Sequence, residues 1–76
     1  MTPTNKRTLK NLAKLLSQIR KAKSISRQQL ADKSGVHYDA IARIERGERK
    51  PIVTTLCSIA SALDIHVAEL LVDPKK

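Results

Sequence analysis

The sequence predicts an all-α fold, a compact bundle of five short helices. Along most of the chain apolar residues return at spacings of three and four and nowhere alternate, the pattern of helices with one buried face rather than of strands. Tyr38 is the only aromatic residue, so the core must be built from Leu, Ile, Val and Ala, the palette of small helical bundles. Gly35 and Gly47, the only two glycines, each fall where one apolar-periodic segment gives way to the next, and Gly accepts the left-handed backbone of a helix stop at no steric cost.

Residues 1–7 are polar, contain Pro3 and end in Lys6-Arg7, which reads as a flexible basic arm. In the first helix Leu9, Leu12, Leu16 and Ile19 share a face, with Lys10, Lys14 and Lys21 outside it; the pattern breaks at Lys23-Ser24-Ile25. A capping box, Ser26-Arg27-Gln28-Gln29, opens a short second helix that stops at Gly35. The third runs from about His37 to Gly47. Beyond the charged loop Glu48-Arg49-Lys50-Pro51, a fourth helix places Leu56, Ile59, Ala60 and Leu63 on its apolar stripe and ends at Asp64. A fifth, about Val67 to Val72, is stopped by Pro74. The domain is therefore expected over residues 8–72, with a C-terminal tail at 73–76.

The 76 residues carry 15 basic and 7 acidic side chains, a net charge of +8, on a chain with room for one domain. Residues 1–50 hold 13 basic against 4 acidic side chains, a net +9, and residues 51–76 hold 2 against 3. Such an uneven field suits a polyanion, nucleic acid foremost, although a solvated basic surface that only aids solubility has the same composition. A membrane surface fits less well, because no segment opposes a basic face to bulky Trp or Phe. No stretch has the length and apolarity of a bilayer span or the cleavage pattern of a signal peptide, so a cytoplasmic location is expected. A single Cys forms no internal disulfide, and Cys57 is expected to pack as a small apolar residue in the fourth helix. The sequence has no His/Cys set at zinc-ligand spacing, paired carboxylates, nucleophile beside a base or Gly-rich phosphate loop. An enzyme is not expected, nor a metal, a cofactor or a small-molecule ligand.

The spacing Ala31-x3-Gly35-x5-Ile41-x2-Ile44 has a steric reason at each position. Ala31 is small enough for two helices to cross closely, Gly35 makes the turn, and Leu30, Val36, Ile41 and Ile44 fill the crossing. This is a helix-turn-helix whose second member is left exposed to enter a groove of DNA. Gly-joined helix pairs also occur in proteins that bind no DNA; the concentration of basic residues around this one favours the DNA reading.

The run Ile25-Ser26-Arg27-Gln28-Gln29-Leu30-Ala31-Asp32-Lys33-Ser34-Gly35-Val36, with Ile44-Glu45-Arg46-Gly47-Glu48-Arg49-Lys50-Pro51, resembles the phage-repressor-like (Cro/C1, or Xre) helix-turn-helix family. Leu56, Ile59-Ala60 and Ala62-Leu63 extend the likeness to roughly residues 9–72. The resemblance implies a lambda-repressor-like DNA-binding domain; small stand-alone members include phage repressors, antitoxins and restriction-modification controllers. It implies base contacts from the start of the third helix and one turn further on, here His37, Tyr38, Asp39 and Arg43. It implies phosphate contacts from Arg27, first in the second helix, and from Arg46, Arg49 and Lys50 after the third. It also implies a buried pair between Arg20 and Glu45 that holds the third helix against the first.

Several of these residues have a second reading. Arg43 suits bidentate bonds to guanine O6 and N7 or a phosphate contact. Asp39 supports the helix macrodipole as naturally as it accepts from a cytosine amine. Tyr38 is a groove contact or a ring left in solvent, and the groove is favoured because the core is complete without it. The chain departs from the family at His37 and His66, where a capping Ser or Thr is usual, at Ile52 for the same reason, and at Asp64, where Gly is usual. Weaker helix ends are expected at the histidines and Asp64, and the start of the fourth helix is the least defined.

The sequence therefore points to a sequence-specific regulator of transcription that binds a pseudo-palindromic double-stranded DNA operator as a homodimer. Val67, Leu70, Leu71 and Val72 exceed what one short helix buries in its own subunit and are the expected dimer surface. The alternative is an antitoxin-type protein-interaction module with secondary DNA binding, for which a toxin-wrapping segment beyond Val72 would be expected. A third reading, a non-specific nucleoid-type binder, predicts steep salt dependence without a preferred site.

Overall fold

Residues Lys6–Ala22 form α1 in the computed structural model, which describes residues 6–71. Three shorter helices follow, α2 (Arg27–Ser34), α3 (Tyr38–Glu45) and α4 (Val53–Ala62), and then a single 3-10 turn, Val67–Leu70. No strand occurs among the described residues. The fold is thus four helices and a turn rather than five helices. Four residues are too few to close a stable run of i to i+4 bonds, so the segment winds into the tighter form, with Leu71 N–H donating to the Ala68 carbonyl at 3.0 Å. At the other end α1 takes in Lys6 and Arg7, which the sequence assigned to the arm; residues 1–5, Val72 and the tail 73–76 lie outside the described residues.

Helix α2 starts as its sequence dictates. Ser26 Oγ accepts from Gln29 N–H at 3.0 Å and Gln29 Oε1 accepts from Ser26 N–H at 2.8 Å, which satisfies two of the backbone donors a helix start leaves free. Gly35, at φ 74°, ends α2 by donating to the Ala31 carbonyl. The other three helices close on a left-handed residue and a backward bond from the residue after it. These residues are Ser24 (φ 57°), Gly47 (φ 74°) and Asp64 (φ 59°), and the bonds run from Ile25 to Arg20, Glu48 to Arg43 and Ile65 to Ala60. Only α3 uses Gly there, so Ser24 and Asp64 hold a conformation that L-residues adopt at some steric cost.

The two unusual histidines behave differently. His37 precedes α3 without a side-chain cap, whereas His66 Nδ1 accepts from Ala68 N–H at 3.2 Å and Glu69 Oε2 accepts from His66 N–H at 3.2 Å. The weak end expected at His66 is therefore a complete capping box with an imidazole in place of a hydroxyl. At Ile52 no side-chain cap forms and α4 begins at Val53.

Leu12, Leu16, Leu30, Ile41, Ile44, Ile59 and Leu63 form the centre of the core, closed from the C-terminal side by Leu70. Helix α1 packs on α3 and on the 3-10 turn, and α2 packs on α3 and α4. Two expectations fail at its edges. Cys57 is exposed, because α4 buries Leu56, Ile59 and Ala60 and the Cys57 position turns away from that stripe with Val53. Leu70 is 1% exposed. It belongs to the subunit's own core, not to a surface that a partner could cover, since α1 and α4 both pack against its turn.

Candidate nucleic-acid interface

The sequence between the glycines sets α3 apart from the other helices. Ala40, Ile41 and Ile44 are buried against α1 and α2, while His37, Tyr38, Asp39 and Arg43 all lie exposed on the outer side. Tyr38 keeps 46% of its surface in solvent and the Arg43 side chain 54%. A helix with an apolar inner face and a polar outer one is the predicted arrangement of a groove-entering element. The turn ahead of it is short and fixed: Val36 N–H donates to Ser34 Oγ at 3.1 Å beside Gly35.

The C-terminal end of α3 is anchored by charge. Glu45 has no exposed side-chain surface and accepts three hydrogen bonds. Arg20 donates from Nε to Oε2 at 2.6 Å and from Nη2 to Oε1 at 3.0 Å, a bidentate fork, and Arg27 Nε donates to Oε1 at 2.9 Å. Arg20 Nη1 also donates to the Ile25 carbonyl at 2.8 Å. Three elements and the α1–α2 loop thus meet at one carboxylate. Burial by itself pushes the Glu45 carboxyl up, but the hydrogen bonds from Arg20 and Arg27, with their charge, outweigh it and hold the group below the ordinary carboxylate range. The Glu45 carboxylate in turn raises Arg27 above its usual value, burial opposes this, and the Tyr38 hydroxyl adds to the rise.

The part of Arg27 in this cluster is not visible in the sequence. Glu45 lies 18 residues away, and no periodicity links the first residue of α2 to the last of α3. Only the oddity of one acidic residue at an otherwise buried end of α3 hints that it needs more than one partner.

The remaining basic residues differ in what they already touch. Arg43 Nε lies 3.1 Å from Asp39 Oδ2, one helical turn earlier on the same exposed face. Arg46 Nε donates to Glu48 Oε2 at 3.1 Å. Arg49 lines a shallow groove with Gly35, His37, Asp39, Thr54 and Ser58, which puts the loop after α3 on the same side as the start of α3. Lys50 is exposed next to it. Of the apolar residues expected at a dimer surface, Leu71 is 60% exposed and Val67 is partly buried against the core.

A family model described as Helix-turn-helix matches residues 16–70. The chain belongs to the helix-turn-helix family. Among curated relatives, the control protein C.SmaI of Serratia marcescens is 38% identical over 60 residues, 79% of this chain and 71% of that protein. The HTH-type transcriptional regulator SutR of Escherichia coli is 34% identical over 71 residues, which are 88% of this chain and 40% of SutR. Among solved structures, the restriction-modification controller protein C.AhdI from Aeromonas hydrophila superposes with a TM-score of 0.80 at 34% identity, covering 82% of this chain and 94% of that one. This helix-turn-helix protein is accordingly a DNA-binding regulator of transcription, and its relatives are regulators rather than enzymes. Among the described residues, no helix is long and apolar enough to cross a membrane and no group of three or more His, Cys, Asp or Glu could hold a metal ion.

Proposed function

We propose that this helix-turn-helix protein binds a pseudo-palindromic operator as a homodimer in the cytoplasm, each protomer laying α3 in a major groove about 34 Å from its mate. The observation that carries this reading is the outer face of α3, on which Tyr38, Asp39 and Arg43 stand in solvent while Glu45 ties the same helix to α1 and α2. A reading helix needs both, since free side chains on a loose platform lose the geometry of base contacts.

Arg43 is the residue for a guanine edge, with His37, Tyr38 and Asp39 facing the same groove. Arg27, Arg46, Arg49 and Lys50 take the phosphates. Glu45 engages Arg27 at Nε, and the Arg27 side chain still keeps 34% of its surface in solvent, open to a phosphate. A single module offers few base contacts, which favours two copies on two half-sites. Leu71, with Val67 beside it and Val72 as the remaining expected member, supports a second copy on the side with little positive charge. The likeness to C.SmaI in sequence and to C.AhdI in structure favours the controller subtype. The protein's role is non-catalytic; Cys57 and His66 line one shallow recess, but His66 Nδ1 is occupied as a cap.

Selection of bound sequences from a random duplex pool, with sedimentation of free and bound protein, tests this. The expected result is two inverted half-sites one helical turn apart, bound by two chains. A protein that stays monomeric at roughly tens of micromolar and on its selected DNA would overturn the dimer.

A further inference from the structure

We propose that Asp39 is a positioning residue for sequence preference, acting through Arg43 rather than by touching a base. The inference builds on the reading of Arg43 as a guanine contact. Asp39 Oδ2 lies 3.1 Å from Arg43 Nε, so the contact falls at Nε and not on the Nη edge. That edge carries the paired donors that match O6 and N7 of guanine. The spacing is the favourable one for a helix, acid four residues before base, and both side chains are well exposed, 70% for Asp39 and 54% for Arg43, so neither must leave a core to reach a groove.

Two physical effects make this a specificity device. A free Arg side chain samples many rotamers, and a partner that holds it in one reduces the ordering required on binding. In the groove the pair also becomes less screened than in water, so it strengthens where it is needed. The second effect is repulsive. A carboxylate brought close to phosphates is unfavourable unless its charge is met, and Arg43 meets it while also engaging the correct base. On a wrong base Arg43 is drawn toward other acceptors and Asp39 is left facing the duplex, which disfavours that sequence.

The bland role of Asp39 is support of the α3 dipole, which the uncapped His37 makes useful. The two roles separate in a double-mutant cycle read out as base preference at the position selected by the wild-type protein. Asp39→Asn and Asp39→Ala are expected to reduce preference for guanine at one base pair by about fivefold to tenfold, and to leave binding to unrelated duplex equal or tighter. Asp39→Glu, which keeps the charge and the helical pairing, should retain preference to within about twofold. In an Arg43→Ala background Asp39→Asn should change preference no further. The inference is overturned if Asp39→Asn leaves preference unchanged in a folded protein, or if its effect is as large without Arg43. A wild-type protein with no preferred site overturns the underlying reading instead, and melting curves of each variant show whether any loss reflects unfolding.

Discussion

At one end of α3, Glu45 is sealed from solvent and meets two guanidinium groups; six and two residues earlier on the same helix, Asp39 and Arg43 form an ion pair in water. The chemistry is the same and the environment differs. In the sealed cluster the Glu45 carboxylate is shut off from water and held by Arg20 and Arg27 together, so the hydrogen bonds fix the angle of α3 against α1 and α2 and removal of Glu45 deprives the buried Arg20 of its charge partner. In the open pair each charge can be hydrated, so the interaction adds little to folding but leaves both groups available to a ligand. One helix thus carries a structural ion cluster and an open charged pair, and burial decides which is which.

The largest way to break this contrast is Glu45→Ala. With the Arg20 fork left unpaired, denaturant melts should show a loss of about 3 kcal/mol or more; a loss below about 1 kcal/mol would mean that water reaches the guanidinium groups. Acid gives a milder form of the same test. Because Glu45 sits below the ordinary carboxylate range when folded, its share of the stability is fully present above about pH 4.3 and disappears as pH falls through the lower folded value. Thermal melts from pH 5 to 2 should fall less steeply for Glu45→Gln than for the wild type.

On the open face the effects move from stability to recognition. Arg43→Ala is expected to relax base preference by about 1 to 3 kcal/mol at one position with little change in melting. Lys50→Ala should weaken all duplexes alike and lower the slope of log K against log salt by about 0.9. Matching losses of preference from the two would contradict their assigned roles. The smallest effect is on stability: Asp39→Ala should lie within about 0.5 kcal/mol of wild type in the same melts, against the far larger shift for Glu45→Ala.

The parts of the fold set by local chemistry are readable from the chain. Ser26 and Gln29 mark the start of α2 through a reciprocal cap, Gly35 ends it, and the residues that fill the crossing of α2 and α3 follow from helical spacing. What depends on distant packing is not. Residues 67–70 carry the apolar pattern of a helix start, yet the run is too short for one, and Leu70 turns into the core because α1 and α4 leave a place for it. Cys57 is apolar enough for a core and still falls on the outward side of α4. In the site, the outward set His37, Tyr38, Asp39 and Arg43 comes from position along one helix, whereas the bond from Arg27 to Glu45 needs the fold itself.

Leu70 has a geometric consequence for anything that meets the C-terminal side. It seats the 3-10 turn against α1 and α4, and α1 in turn packs on α3, so the adjoining Leu71 is linked to α3 through one shared helix. A body resting on Leu71 would then be set relative to α3 by the packing of α1. The tolerance for spacing between two bound segments of DNA would be narrow, and adding or deleting one base pair between them should be felt as a rotation of about 34–36° that the protein cannot follow.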